Sequence, residues 1–337
     1  MYIIRQAFQD DTDQILAVAQ HLDTMNLPAH RDKIVEIVRR SEQSFSADAV
    51  PQERELLLVL EDTASKRVVG TSMIHAQHGT RRAPHVFFRV VKEERYSITL
   101  DKYVVHQCLR IGYNYDGATE IGGLILLPEY RGRPESLGKL LSYVRFLFIA
   151  MHRTWFRDTV ISELLPPLES DGTSALWNAL GKQFTDLTYQ EADLLSKDNK
   201  EFIQALFPHE LIYTSMLPDR ARNIIGKVGE EQKGVERMLR KIGFTYGKQI
   251  DPFDGGPHFT AHTDAISLVG NAIRGRAAEA PATDAKWGMV ASEHTGQFRA
   301  TCGHFSVAPG TDGIRMNEAT RAALGLDVGE EAWWVAP

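Results

Sequence analysis

The sequence predicts an α/β (α+β) fold, a mixed sheet with flanking helices, from three observations. Apolar β-branched runs such as ELLLVLED and RVVGTSMIHAQ are interleaved with amphipathic stretches such as RDKIVEIVRR, whose Ile34, Val35 and Val38 share one helical face. A strand, a Gly- and Arg-containing loop and a long apolar helix follow one another in LILLPEYRGRPESLGKLLSYVRFLFIAMH, Leu124 to His152. Finally, the chain ends in a stretch dense in strand-forming residues, from Trp287 onward.

Taken in order, YIIRQA reads as a strand, and Asp10 or Asp11 starts a helix carrying Ile15, Leu16, Val18, Ala19 and Leu22. The two runs flanking TASK make a hairpin, and HVFFRVV extends the sheet. The segment Thr99 to Tyr115 reads as ambiguous, with a helix as one option. TEIGGLILL is a strand, Ser136 to Trp155 a helix, DTVISEL a further strand, and SALWNALGKQF a helix closed near Gly181. From 186 to 225 the pattern turns helical, and GVERMLRKIGF echoes ALWNALGKQF, which suggests a degenerate repeat. The stretch 274–285, containing GRAAEAPATDA, reads as a linker. Beyond it a small β-rich module is expected, with Trp333 and Trp334 packed into it.

Composition narrows the function. The 337 residues suffice for two or three domains, and the 43% apolar and 24% charged content is that of a soluble globular protein. A net charge of −6 offers no basic field for nucleic acid, so an anionic ligand must be held locally. Two cysteines, Cys108 and Cys302, build no disulfide framework, no signal peptide is read, and the apolar run Phe146 to Met151 is too short for a bilayer. A cytoplasmic protein without membrane contact is expected.

The opening loop is the strongest local signal. Its amides and the N-terminus of the helix after it make an anion site, to which Arg131, Arg133 and Lys139 add charge. The loop has neither the P-loop pattern nor the dinucleotide fingerprint. An R-x-x-G-x-G/A-like cradle for the pyrophosphate of coenzyme A remains, as does a plain loop with surface arginines. Gly122-Gly123 favours the cradle, because glycines weaken a strand unless a bulge or a close backbone approach requires them.

FLFIAMHRTWF, ISEL, LWNALGKQF, EADLLS, KEFIQALFP, IYTSMLP, IIGKV and above all IDPFDGGP resemble the arginine N-succinyltransferases, a family of the GNAT acyltransferase superfamily. The resemblance covers nearly the whole chain. It implies a GNAT-like acyl-CoA-binding domain over 1–185, a second GNAT-like, largely helical half over 186–273, and the β-rich module over 286–337. It further implies an acyltransferase that moves a succinyl group from succinyl-CoA to the α-amine of arginine. Leu124, Ile125 and Leu126 then stand on the strand that contacts acyl-CoA, and Arg131, Gly132, Arg133, Ser136, Gly138 and Lys139 in the pyrophosphate cradle. The cradle loop is about two residues longer than the family's usual form, and three positions depart from the family pattern. Its Val-His-Pro, with the proposed proton donor, is here Val228-Gly229-Glu230; its Ser-Leu-Pro is Asn26-Leu27-Pro28; its Glu-Met-Arg-Gly is Glu163-Leu164-Leu165-Pro166. Asn26 is thereby an acceptor-side candidate. Self-association or pairing with a related subunit also follows from the resemblance.

Aminolysis of a thioester needs a neutral amine and a polarised carbonyl, but no covalent nucleophile. Glu120 and Glu163 are candidates to take a proton through water or to bind the acceptor's cation; each also reads as a solvated strand-end carboxylate. His258 reads as a proton carrier or as a structural histidine. Asp251 and Asp254 read as turn residues or as a bidentate seat for a guanidinium. The resemblance places Trp177 at the helix position where many GNAT enzymes carry a tyrosine that protonates the departing thiolate; an indole there reads as core. No metal is expected, since His75 and His78 have no third ligand within reach along the sequence. The alternative to an enzyme is a GNAT-like acyl-CoA-binding or regulatory protein without turnover.

Overall fold

The computed structural model describes all residues except 22–26, 82, 197–198, 280–284, 295 and 308–311. Among the described residues fifteen strands follow in chain order: β1 (Tyr2–Gln6), β2 (Glu55–Asp62), β3 (Arg67–His75), β4 (His85–Ser97), β5 (Lys102–Asn114), β6 (Thr119–Leu126), β7 (Thr159–Glu163), β8 (Ile212–Tyr213), β9 (Thr245–Ile250), β10 (Pro257–His262), β11 (Ile273–Glu279), β12 (Lys286–His294), β13 (Gln297–Val307), β14 (Gly313–Met316) and β15 (Glu331–Val335). The expected mixed sheet with flanking helices and a β-rich C-terminal module is present. The chain divides into two compact units, each assembled from separated segments: 1–77, 119–160 and 262–337 form one, 78–118 and 161–261 the other. These are not the consecutive stretches 1–185 and 186–273, because the β4–β5 hairpin and the chain beyond Val160 build a unit of their own.

In the first unit β1, β2, β3 and β6 are neighbours in that order, joined by antiparallel pairing. Helix Leu137–Met151 buries an almost continuous apolar surface, from Leu140 to Ile149, which explains its weak polar face. The C-terminal strands β12, β15, β11, β14 and β13 pair around a closed circuit, β13 returning to β12, and this leaves the ring without a free edge. Phe305, Met316, Leu324 and Val290 fill it, with Trp334 packed against them as expected. The ring starts at Ile273, so much of the expected linker is strand β11; residues 280–284 lie outside the described residues. Ala277 serves packing rather than flexibility: it is buried inside the ring.

In the second unit β10, β9, β4, β5 and β8 are neighbours in that order. The ambiguous segment Thr99–Tyr115 is not helical but is largely strand β5, paired in unbroken register with β4 from His85↔Asn114 to Ser97↔Lys102. The outer half of that hairpin is exposed on both faces, so its burial pattern carries no helical or strand period to read. The expected helices of 186–225 are present as Tyr189–Ser196, Glu201–Leu206 and Asp219–Ile224. Trp177 is fully buried in this unit's core.

Candidate active site

The first unit contains the strand expected at TEIGGLILL, β6. The pairing of β3 with β6 slips between Thr71↔Ile125 and Met73↔Gly122, so β6 carries one extra residue, a β-bulge. Gly123 sits in it at φ +55, and a Cβ there would lie 2.7 Å from Met73 Cγ. The Thr71 hydroxyl donates to the Gly123 carbonyl at 3.0 Å. Arg145, fully buried in the helix after the loop, donates to the Gly122 carbonyl at 3.3 Å and to Ser142. Burial pushes its pKa down to about 9, which still leaves the guanidinium charged at neutral pH. A glycine pair in a strand therefore marks a bulge, and a buried arginine pins it. Gly123→Val should strain the bulge and destabilise the chain by about 1–2 kcal/mol, which urea unfolding would show.

Leu124 and Leu126 lie on the half-exposed face of β6, while Ile125 turns into the core. Residues 131–136 are exposed ahead of the helix N-terminus, Gly132 and Ser136 in left-handed conformations and Gly138 in the first turn. The basic side chains are held within their own unit. Arg131 donates to the Leu126 carbonyl at 2.9 Å. Arg133 donates to the Tyr2 hydroxyl at 2.7 Å and lies over the Tyr130 ring, and Lys139 sits 4.3 Å from the centre of the Trp287 ring. Glu120 is buried in β6, opposite His75.

The second unit gathers a different set. Glu163 ends β7, His258 is the second residue of β10, His85 opens β4, and His78 lies in the preceding loop. From Glu163 Oε1 the Nε2 atoms of His85, His258 and His78 are 3.1, 3.5 and 3.9 Å away. His258 and His85 are buried, with ring centroids 5.2 Å apart, and the His78 and His85 rings are 4.5 Å apart. Asp251 joins them, its carboxylate within 4.8 Å of the ligating atoms of Glu163 and His258.

Burial pushes the Glu163 carboxyl up, but the facing imidazoles of His258, His85 and His78 outweigh it and hold it well below the usual carboxylate range. Burial lowers His85, with Glu163 partly offsetting it. Burial, then the charge of Glu163, raises Asp251 to about 7. Asp254 is raised well above its ordinary value by burial and by Asp251. Both aspartates also cap their own turn: Asp251 Oδ1 accepts from the amides of Phe253 and Asp254, and Asp254 Oδ1 from that of Gly256. Turn chemistry thus uses part of the capacity that a guanidinium would need.

Glu163, His258 and Asp251 are therefore brought together, with Asp254 in the same turn; Glu120 belongs to the other unit, and Asn26 lies outside the described residues. The sequence does not mark His78 and His85 as a pair. The Gly229 amide donates to the Leu165 carbonyl at 2.9 Å, two residues beyond Glu163, and a Cβ at Gly229 would lie 2.9 Å from the Pro166 carbonyl oxygen. Any side chain at 229 must displace that segment, so Gly229→His should leave turnover unchanged or lower it, as kcat measured beside the parent chain would show.

The sequence profile described as arginine N-succinyltransferase beta subunit matches residues 2–268, and the profile of the C-terminal domain of that same beta subunit matches 273–336. The chain belongs to the arginine N-succinyltransferase family. Among similar proteins, arginine N-succinyltransferase of Photorhabdus laumondii is 30% identical over 98% of this chain and 97% of its own length. Arginine N-succinyltransferase subunit beta of Pseudomonas aeruginosa is 32% identical over 97% of this chain and 96% of its own. The solved structure of arginine/ornithine succinyltransferase subunit AI from Pseudomonas aeruginosa superposes with a TM-score of 0.86 at 27% identity, covering 100% of this chain and 98% of the other. The second profile begins at the residue where the C-terminal ring begins, Ile273. Among the described residues, no helix is long and apolar enough to cross a membrane.

Proposed function

We propose that this member of the family is an acyl-CoA-dependent N-acyltransferase, with succinyl-CoA as donor and arginine or a related cationic amine as acceptor. The observation that carries the reading is the pinned bulge at Gly122–Gly123 ahead of a helix N-terminus, in a chain that belongs to this family throughout. A bulge exposes β6 backbone that a pantetheine amide can pair with, and the loop 131–138 offers amides to a pyrophosphate. In the reaction the amine nitrogen forms a bond to the thioester carbonyl carbon, the C–S bond breaks, and coenzyme A leaves as the thiol after the nitrogen sheds its proton. Glu163 is the residue we assign to the acceptor, as the carboxylate that draws in its cationic group; His258 and Asp251 border it. We place the reaction in the cytoplasm and infer pairing with a second copy or a related subunit, since relatives are named as subunits.

One observation favours a non-catalytic binder: position 229 has no side chain where the family's proton donor is expected. Thiol release from succinyl-CoA, measured in the presence of EDTA with arginine, ornithine and a panel of other amines, separates the two. Release that depends on one amine supports the enzyme. Binding of coenzyme A without release above background for any amine would leave only the binder.

A further inference from the structure

Three imidazoles of the second unit converge on one carboxylate oxygen, and the acyl-transfer reading has no use for so many. We propose that His78, His85 and Glu163 form a binding site for a first-row divalent transition metal of the zinc class. The expectation of no metal rested on reach along the sequence; the fold brings Glu163 to His78 and His85 from a distant stretch of chain.

The spacing of the ligand atoms suits an ion. A carboxylate oxygen accepts from a nitrogen at about 2.7–3.2 Å. Only His85, at 3.1 Å, lies in that range; His258 and His78 are at 3.5 and 3.9 Å from the same oxygen. Four ligands each at about 2.0–2.1 Å from one tetrahedral ion are themselves roughly 3.3–3.4 Å apart. The separations of His85 and His78 from Glu163 Oε1 lie on either side of that spacing, and the ligating atoms of His78, His85 and Glu163 all lie within 4.8 Å of one another, whereas His258 groups with Glu163 and Asp251. Asp251 and His258, within that same distance of each other and of Glu163, stand beside the site as neighbours that orient Glu163. Imidazole with a single carboxylate is a donor set for zinc, cobalt, nickel or iron(II), not for the oxygen-seeking magnesium or calcium. Burial of His85 fixes one ligand before any ion arrives, so less ordering is left to binding.

The proposal goes beyond the acyl-transfer reading and does not depend on it; Glu163 serves the acceptor only in the ion-free protein, which is why thiol release is measured in EDTA. It is tested on the full chain stripped with EDTA, titrated with Zn²⁺ by calorimetry and with Co²⁺ by absorption. One ion per chain is expected, with the visible absorption band of cobalt bound by nitrogen and oxygen. His85→Ala, His78→Ala and Glu163→Gln should each weaken binding by at least about 10- to 100-fold, while His304→Ala, at an exposed position of the C-terminal ring, should leave it unchanged. His78 is half-exposed, so its variant keeps the test valid if the His85 variant misfolds. No binding by the parent chain, or binding that His304→Ala weakens as much as His78→Ala does, would overturn the proposal. Thiol release in EDTA reports on acyl transfer separately, so failure of one reading is distinguishable from failure of the other.

Discussion

Glu163→Gln should lower kcat/KM for the amine acceptor by about 10- to 100-fold and leave KM for acyl-CoA unchanged. The size follows from charge. Glutamine keeps the shape of the side chain but not its negative charge, and a hydrogen bond to a charged group contributes about 1.5–3 kcal/mol, with each 1.36 kcal/mol equal to about tenfold in rate. The selectivity follows from placement. Glu163 faces His85, His258 and His78 in the second unit, whereas the bulge at Gly123 and the loop 131–138 belong to the first. The substitution therefore removes charge from the acceptor side without touching a residue assigned to the donor. Initial rates at varied amine and fixed saturating succinyl-CoA, then the reverse, make the measurement. A change below threefold in the acceptor's kcat/KM, with the variant folded by circular dichroism, would remove Glu163 from the acceptor site.

Local chemistry is legible in the sequence and long-range convergence is not. Gly122-Gly123 inside an apolar strand announces a bulge, because only a bulge or a close approach makes two glycines tolerable there, and the slip at Thr71↔Ile125 is that bulge. Arg145, the residue that pins it, gives no such signal, because a basic residue on a helix ordinarily faces water, whereas this one is wholly buried. The ends of the helix at Leu137 and Met151 are readable within a few residues, since a glycine-rich loop precedes an apolar face. The strand β5 is not, because tyrosines, charges and valines on a hairpin exposed on both sides follow no burial period. The ring strand β11 reads as a linker because an alanine buried in tight packing, Ala277, looks like one of a flexible segment. His78 and His85 illustrate the larger limit. Nothing in their spacing points to Glu163 or His258, 85 and 180 residues further along from His78, and only strand pairing brings the four together.

The largest loss of stability is expected from Trp177→Ala, at about 3–5 kcal/mol. Trp177 is fully buried, stacks on Phe253 with ring centroids 5.0 Å apart and planes at 11°, and donates from Nε1 to the Leu187 carbonyl at 3.0 Å. Removing the indole opens a cavity between the ring of Phe253 and that of Phe207, and leaves the Leu187 carbonyl without that donor. An indole cannot take the part of a phenol in catalysis, so its effect on turnover must pass through structure. That path is short. Phe253 lies in the turn that carries Asp251 and Asp254, and its own amide donates to Asp251 Oδ1 at 2.7 Å. Loss of the stack should therefore loosen the turn that presents Asp251 to Glu163 and His258, and weaken acceptor binding along with stability. Trp177→Phe retains a ring against Phe253 and should cost markedly less. Urea unfolding of the three chains, with KM for the acceptor measured on each, tests both effects. A Trp177→Ala chain as stable as the parent would refute the packing argument. One that is destabilised but keeps the parent's acceptor KM would show that the turn holds its shape without the stack.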